Sequence, residues 1–197
     1  EIGKSLDEHS AEIVFLTHSE TSTATLHDLK AQAAEARSRG ALVVADVVTS
    51  LGVHEFRQDE FGIDVAVAGS QKGLMLPPGL ALVGLSERAL ARLETDGVRG
   101  PAFYLDLKRA ADSAVTGDTP FTPAVSLILA LDEAVKMIEE LGLEEVWRRH
   151  DALASAIRAG GVAAGMQLFS ARPANSVTAF TPPAGVEAKQ VVSHLAK

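Results

Sequence analysis

The chain has 197 residues, of which 47% are hydrophobic and 22% charged, and this composition excludes a disordered or collagen-like protein. Its 26 acidic and 18 basic residues give a formal charge of −8, which argues against a nonspecific nucleic-acid binder because phosphates need clustered Lys and Arg. The absence of cysteine excludes a disulfide framework, a thiolate zinc site and a cysteine nucleophile within this chain.

The first two thirds of the chain alternate short apolar runs with amphipathic segments. Buried strands are predicted at residues 13–17, 41–45, 63–68 and 80–85. Helical spacing predicts a helix over residues 25–39, ended by Gly40, and Ser86 is expected to cap another that reaches Leu93. Strands that are apolar on both faces and alternate with helices indicate an α/β fold, with a mainly parallel sheet between two layers of helices.

The last third of the chain has a different pattern. A breaker cluster spans residues 97–101, and a loop rich in Thr, Pro and Gly follows at 115–123. Thr122 and Pro123 together predict the start of a long helix that stops at Gly142. The remaining predicted elements are helices over residues 144–159 and 187–196 and strands over 166–170 and 176–181. We expect residues 1–122 to form part of a large domain, and 123–197 to form linking helices and part of a small α/β domain.

Two residues at predicted strand ends have the strongest chemical potential. Ligands of parallel sheets bind beyond the carboxyl ends of the strands, where the segments 17–23, 46–50 and 69–73 are expected to meet. Lys72 lies in the last of these, and a partly desolvated lysine has a lowered pKa and forms Schiff bases with carbonyl compounds. Asp46 ends an apolar strand, where a carboxylate needs a partner to offset its desolvation.

Both residues also have ordinary explanations. Most lysines are solvated, so Lys72 taken alone is more often a loop lysine near a strand end. Asp46 can pair with a protonated cofactor ring, cap a helix or turn, or bind a ribose or magnesium ion. The six histidines show no paired metal spacing and are expected mostly at the surface, so no metal site is predicted. Phosphate-loop and serine-hydrolase motifs are absent.

Several motifs in combination resemble one known family. They are Thr17-His-Ser-Glu-Thr-Ser-Thr23, Ala45-Asp-Val-Val-Thr-Ser-Leu-Gly52, Gly62-Ile-Asp64 and Gly69-Ser-Gln-Lys-Gly-Leu-Met-Leu-Pro-Pro-Gly79. In this order they resemble the class V aminotransferases of fold type I, nearest to the alanine–glyoxylate and serine–pyruvate (or serine–glyoxylate) group. The segments 119–126 and 142–150 are similar to the same group, so the resemblance covers essentially the whole chain.

The resemblance implies a site for pyridoxal 5′-phosphate (PLP). By similarity, Lys72 holds the cofactor as a Schiff base and later acts as general base and acid, while Asp46 keeps the pyridine nitrogen protonated. The other contacts implied are Val48 on a ring face, Thr21 near the ring hydroxyl, Gln71 at the phosphate, and Thr119 or Thr122 at the phosphate of the neighbouring subunit.

The activity implied by the resemblance is transamination between a small amino acid (alanine or serine) and a small 2-oxo acid (glyoxylate or pyruvate). We expect a cytoplasmic homodimer with shared active sites and with no membrane or nucleic-acid partner. A lyase or desulfurase on the same scaffold, and a non-catalytic oligomerising fragment, stay open as alternatives. Gln71 and the lack of cysteine argue against a desulfurase, because those relatives have a His before the lysine and a catalytic Cys.

Two departures from the family pattern affect these expectations. Ala24 stands where relatives usually have glycine, a small change that tightens a turn. A glycine-rich phosphate loop, a ring-stacking aromatic residue and a substrate-binding arginine are expected in family members but lie outside this sequence. We therefore expect these 197 residues to be a central fragment that is inactive alone.

Overall fold

A central sheet and the helices packed around it make up the first half of the chain. The computed structural model describes residues 2–95 and 103–196. Its helices are α1 (Ile2–His9), α2 (Leu29–Arg37), α3 (Gln58–Phe61), α4 (Glu87–Thr95), α5 (Leu107–Val115), α6 (Val125–Leu141), α7 (Leu143–Ala163) and α8 (Ala188–Leu195), with a 3-10 turn at Phe103–Leu105. Its strands are β1 (Ile13–Thr17), β2 (Ser19–Glu20), β3 (Thr25–Leu26), β4 (Leu42–Asp46), β5 (Val65–Gly69), β6 (Ala81–Leu85), β7 (Gln167–Leu168) and β8 (Phe180–Thr181).

The main sheet has the strand order β1-β4-β5-β6. Strands β1, β4 and β5 are parallel, and β6 runs antiparallel to β5. The register places Thr17 beside Asp46 and Asp46 beside Val67, so the parallel strands end close to one another. The mainly parallel α/β sheet expected from the sequence is therefore confirmed, with one antiparallel strand at its edge.

The hydrophobic core fills the space between the sheet and helices α1 and α2. Val43 and Ala45, alternate residues of β4, are fully buried, and they form one cluster with Leu29, Ala33 and Ala36 of α2. Small alanines on the inner face of α2 let the helix approach the strands closely. Asp28 begins this helix because its carboxylate accepts a hydrogen bond from the Ala31 N–H at 3.1 Å.

A fully buried carboxylate, that of Asp64, holds several elements together at the end of the sheet where β5 begins. It accepts hydrogen bonds from the Val43 N–H at 2.9 Å and from the Ser86 hydroxyl at 3.0 Å. The guanidinium groups of Arg37 and Arg88 form ion pairs with it at 3.3 and 3.2 Å. These four donors satisfy both oxygens and connect β4, α2 and the start of α4 through one side chain.

Some helix ends differ from the sequence expectation for local reasons. The helix expected from residue 25 begins at Leu29, because Thr25 and Leu26 pair with Ser19 and Glu20 in an antiparallel hairpin. Thr122 does not cap α6, which begins at Val125 without a side-chain cap. Helix α7 continues through Gly160 and Gly161, where close packing of Gly161 against the Phe180 ring offsets the low helix propensity of glycine.

The remaining sequence expectations have mixed outcomes. The strands predicted over 166–170 and 176–181 shorten to two residues each, β7 and β8. The sequence patterns did not predict α1, α3 and α5. The breaker cluster at 97–101 lies outside the described residues, and the domain boundary at 122 and 123 stays a prediction.

None of the helices in the described parts of the chain combines the length and the apolar character needed to span a membrane.

Replacing Asp64 by asparagine keeps the size of the side chain but leaves Arg37 and Arg88 without their buried counter-charge. Loss of one partner from a buried ion pair costs about 3–5 kcal/mol. The two arginines are partly exposed, so we expect Asp64→Asn to lower the free energy of unfolding by about 2–3 kcal/mol. Urea denaturation of the protein that carries this chain measures the change.

The matched control is Asp7→Asn, which removes the exposed carboxylate partner of Arg39. Solvent screens that surface pair, so its loss is expected to change the free energy of unfolding far less than Asp64→Asn does. Equal changes for the two substitutions would contradict the role given to Asp64.

Candidate active site

The segments that follow β1, β4 and β5 meet at one edge of the sheet, as the sequence predicts. The His18 N–H donates to the Asp46 carbonyl at 3.0 Å, which extends the pairing of β1 and β4 beyond the strands. The Thr49 hydroxyl donates to the Ser19 carbonyl at 2.8 Å. These bonds hold the segments after β1 and β4 side by side, next to the segment that follows β5.

Lys72 lines a cavity of about 410 Å³ at this edge. The cavity is lined by Thr21, Thr49 and Lys72 from the first half of the chain and by His150, Asn175 and Ser176 from the second half. The Lys72 side chain is exposed, which corrects the expectation of partial desolvation. Within residues 2–95 and 103–196, its ammonium group has no hydrogen-bond or ion-pair partner, so the amine is available to a ligand.

Gly73 allows the Lys72 loop to lie directly against the turn that follows β4. A Cβ atom at Gly73 would overlap the Leu51 carbonyl oxygen and would lie 3.0 Å from Val53 Cγ2. The Met75 N–H donates to the Lys72 carbonyl at 2.9 Å, and Met75 itself has a positive φ of 57°. Backbone contacts on both sides of Lys72 therefore define the path of its loop.

Asp46 ends β4 with an exposed side chain, so the expectation that this carboxylate is desolvated is wrong for this chain. Its Oδ1 accepts a hydrogen bond from the Val48 N–H at 2.9 Å. Among the described residues, the other carboxylate oxygen has no partner. Asp46 does not line the Lys72 cavity, but it lies at the end of β4, which pairs with the strand that leads to Lys72.

Of the other predicted site residues, some lie at or near the Lys72 cavity and others do not line it. Thr21 lines the cavity with Lys72. Gln71 is exposed next to Lys72, and Val48 is half-buried beyond Asp46. The two threonines expected at the partner's phosphate, Thr119 and Thr122, are exposed between α5 and α6 and do not line this cavity.

Two buried histidines are the main feature that the sequence patterns missed. His18 and His54 are only 5% and 8% exposed, whereas the other four histidines are exposed or half-buried, as expected for most of the six. His18 Nδ1 lies 2.9 Å from the Ser50 hydroxyl, and the two imidazole centroids are 5.9 Å apart. His54 follows the apolar Val53, which is a weak local signal of burial, whereas His18 lies between Thr17 and Ser19 and has no such signal.

Burial lowers the pKa of both imidazoles from 6.5 to about 4. Neighbouring groups that are positive when protonated act in the same direction: His54 and His27 lower the pKa of His18, and Arg158 and His150 lower that of His54. Asp151 has a smaller, opposite effect on the pKa of His54. Both imidazoles are therefore neutral at neutral pH.

This depression of the pKa values predicts a loss of stability in acid. Below pH 6.5 the unfolded chain binds protons on these histidines while the folded chain does not, so the free energy of unfolding falls until about pH 4. At 1.36 kcal/mol per pKa unit, each histidine contributes roughly 3 kcal/mol to this fall. Urea denaturation at pH 7 and pH 4.5 measures it.

Carboxylates also titrate in this range, so the informative quantity is the difference between variants. His54→Gln is expected to reduce the acid-dependent loss of stability, whereas the same substitution at the exposed His9 leaves the loss unchanged. An identical pH dependence for wild type and His54→Gln would show that His54 does not contribute.

Comparison with known proteins gives one family over the whole chain. The family model for aminotransferase class-V matches residues 1–197. L-aspartate–glyoxylate aminotransferase of Paracoccus denitrificans (strain Pd 1222) is 41% identical over 191 residues, covering 94% of this chain and 48% of that protein. The small subunit of a soluble hydrogenase from Synechococcus sp. (strain PCC 6716) is 43% identical over 187 residues, covering 93% and 48%.

The fold has an equally clear counterpart among solved structures. The crystal structure of alanine–glyoxylate aminotransferase from Nostoc sp. superposes with a TM-score of 0.93 at 30% identity, covering 100% of this chain and 53% of that one. The chain thus spans about half the length of the curated relatives it matches.

Proposed function

The chain belongs to the class V aminotransferase family, and we propose that the protein that carries it moves an amino group between a small amino acid and a small 2-oxo acid, with PLP held on Lys72. Enzymes of this family and fold depend on PLP in general. The observation that carries the proposal is the Lys72 amine, which lines a cavity at the sheet edge and has no partner among the described residues.

The donor set at the strand ends fits this cofactor. Lys72 offers an amine for the cofactor's aldehyde, and Asp46 offers a carboxylate oxygen without a partner in the described residues for the protonated ring nitrogen. When bound, PLP supplies a positively charged ring that draws electron density from the substrate's α-carbon. The further contacts that we propose are Val48 on the ring, Thr21 near its hydroxyl, Gln71 at the phosphate, and Thr119 or Thr122 at the phosphate of a partner subunit.

In this proposal the chain's own residues hold and move protons. Once the substrate's amino group had replaced it at the cofactor's aldehyde carbon, the freed Lys72 Nζ would take the proton from the substrate's α-carbon and return it later in the reaction. The negative charge of Asp46 would keep the cofactor's ring nitrogen protonated, because an opposite charge favours the ionised form. The Met75 N–H bond to the Lys72 carbonyl and the close approach at Gly73 keep the lysine loop in place.

For the substrates, we propose glyoxylate or pyruvate as acceptor and alanine or serine as donor. The names of the Paracoccus and Nostoc relatives share glyoxylate, which supports it as the acceptor. They differ in the amino donor, L-aspartate in one and alanine in the other, so the donor assay compares alanine, serine and aspartate. No observation on the described residues favours the activity named for the Synechococcus relative. The cytoplasmic homodimer stays a prediction from the resemblance.

Lys72→Ala is expected to abolish covalent attachment of PLP and to lower transamination by about 10²–10⁴-fold, the usual contribution of a positioned acid–base group. Borohydride reduction followed by peptide mass spectrometry locates the attached cofactor. The control is Lys30→Ala, which removes an exposed lysine of α2 and leaves attachment intact. Attachment that survives in Lys72→Ala would show that another amine holds the cofactor.

A half-reaction separates transamination from the other activities of this scaffold. With one amino acid and no oxo acid, an aminotransferase converts its cofactor stoichiometrically to the pyridoxamine form, whereas a lyase does not. Dimerisation without any PLP binding would favour the non-catalytic alternative instead.

Asp46→Asn tests the charge without changing the shape of the site, since the amide oxygen still accepts from the Val48 N–H. We expect transamination to fall about 100-fold, the equivalent of a two-unit fall in the pKa of the paired nitrogen. PLP attachment to Lys72 is expected to persist. Asp132→Asn on the exposed surface of α6 is the matched control, and full activity of Asp46→Asn would exclude the proposed pairing.

A further inference from the structure

One wall of the Lys72 cavity comes from the loop between β7 and β8, through Asn175, Ser176 and Val177. We propose that His54 is a positioning residue that holds this wall in place and so determines how well the amino-acid substrate binds. The inference rests on the proposed function, since it assigns the Lys72 cavity to the substrate.

The contact that carries the inference joins a buried imidazole to a backbone amide. The Asn175 N–H donates to His54 Nε2 at 2.9 Å, and His54 is buried. A backbone amide can only donate, so Nε2 must carry no proton in this arrangement. His54 therefore acts as a neutral acceptor, with its proton on Nδ1.

The neighbours of His54 keep it in this form. Burial and the positive charges of Arg158 and His150 hold its pKa near 4, against a smaller opposite effect of Asp151. The fourth titratable neighbour is His18, whose ring centroid lies 5.9 Å away and whose pKa is also lowered. The acceptor is thus available throughout the neutral pH range.

Other contacts hold the residues around Asn175 but leave its N–H to His54. The Ala174 N–H donates to the Ala24 carbonyl at 2.9 Å. Arg158 donates to the Ala174 carbonyl at 2.5 Å and to Asn175 Oδ1 at 2.9 Å. Because these bonds persist without His54, loss of its acceptor is expected to loosen the wall while the loop stays attached.

The turn that contains His54 also contacts the lysine loop. The His54 N–H donates to the Ser50 carbonyl at 2.9 Å, and Leu51 and Val53 of the same turn pack against Gly73. This turn therefore lies between Lys72 on one side and Asn175 on the other. A shift at His54 changes the separation of two walls of the cavity without touching the cofactor-binding amine.

The test compares His54→Gln with His54→Asn in the protein that carries this chain. The glutamine amide oxygen reaches the place of Nε2, whereas asparagine is one methylene shorter and does not. We expect His54→Asn to speed hydrogen exchange at the Asn175 amide about tenfold, the equivalent of about 1.4 kcal/mol. It is expected to raise the KM for the amino-acid substrate by a similar factor, with kcat changed much less.

His54→Gln is expected to keep both quantities within about twofold of wild type, since it preserves the acceptor. An unchanged rate of hydrogen exchange at Asn175 and an unchanged KM in His54→Asn would overturn the proposal. Equal increases of the exchange rate and of KM in both variants would also overturn it, because they would show that only the packing of the imidazole matters. If His54→Asn does not fold, the test rests on His54→Gln. Fast hydrogen exchange at the Asn175 amide in a folded His54→Gln protein would contradict the role of the acceptor.

Attachment of PLP to Lys72, measured in wild type and both variants, separates this inference from the proposed function. Hydrogen exchange at Asn175 needs no cofactor. Absence of attachment in wild type would therefore refute the proposed function, while the exchange comparison would still decide whether His54 holds the wall.

Discussion

The parallel pairing of β1, β4 and β5 is the constraint on which the candidate site depends. Parallel strands in register finish at the same edge, and here Thr17, Asp46 and Val67 lie side by side across the pairs. Residues that are tens of positions apart in the chain are thereby brought together where each strand ends. No single motif could place Lys72 near Thr21, because their proximity comes from the sheet.

Charged side chains have different surroundings at the two ends of this sheet. At the end where β5 begins, the buried carboxylate of Asp64 has four donors, two of them cationic. At the other end, the Lys72 amine and one oxygen of Asp46 have no partner in the described parts of the chain. A fully paired buried charge stabilises the fold, whereas exposed groups without partners keep their binding capacity for a ligand.

The sequence predicted β4 and β5 well because these strands are buried or half-buried on both faces and are therefore visible as continuous apolar runs. Strand β1 has a similar apolar run, although one of its faces is exposed at Ile13 and Phe15. Strand β1 has the predicted bounds, and β4 differs by one residue at each end. The predicted start of α2 at residue 25 was wrong, because the residues with helical spacing at 25 and 26 form strand β3 and pair with β2. The left-handed φ of 54° at Ala24 gives a physical reason for the glycine that the family resemblance places there.

The site was only partly predictable, since strand ends can be inferred from local patterns but burial and long-range contacts cannot. The exposure of Lys72 and the burial of His18 and His54 both follow from how distant segments pack. The His54–Asn175 bond joins residues 121 positions apart, and neither residue belongs to a recognisable motif. This bond joins the turn after β4 to a wall of the Lys72 cavity that comes from the second half of the chain, so the shape of the cavity depends on a residue that does not line it.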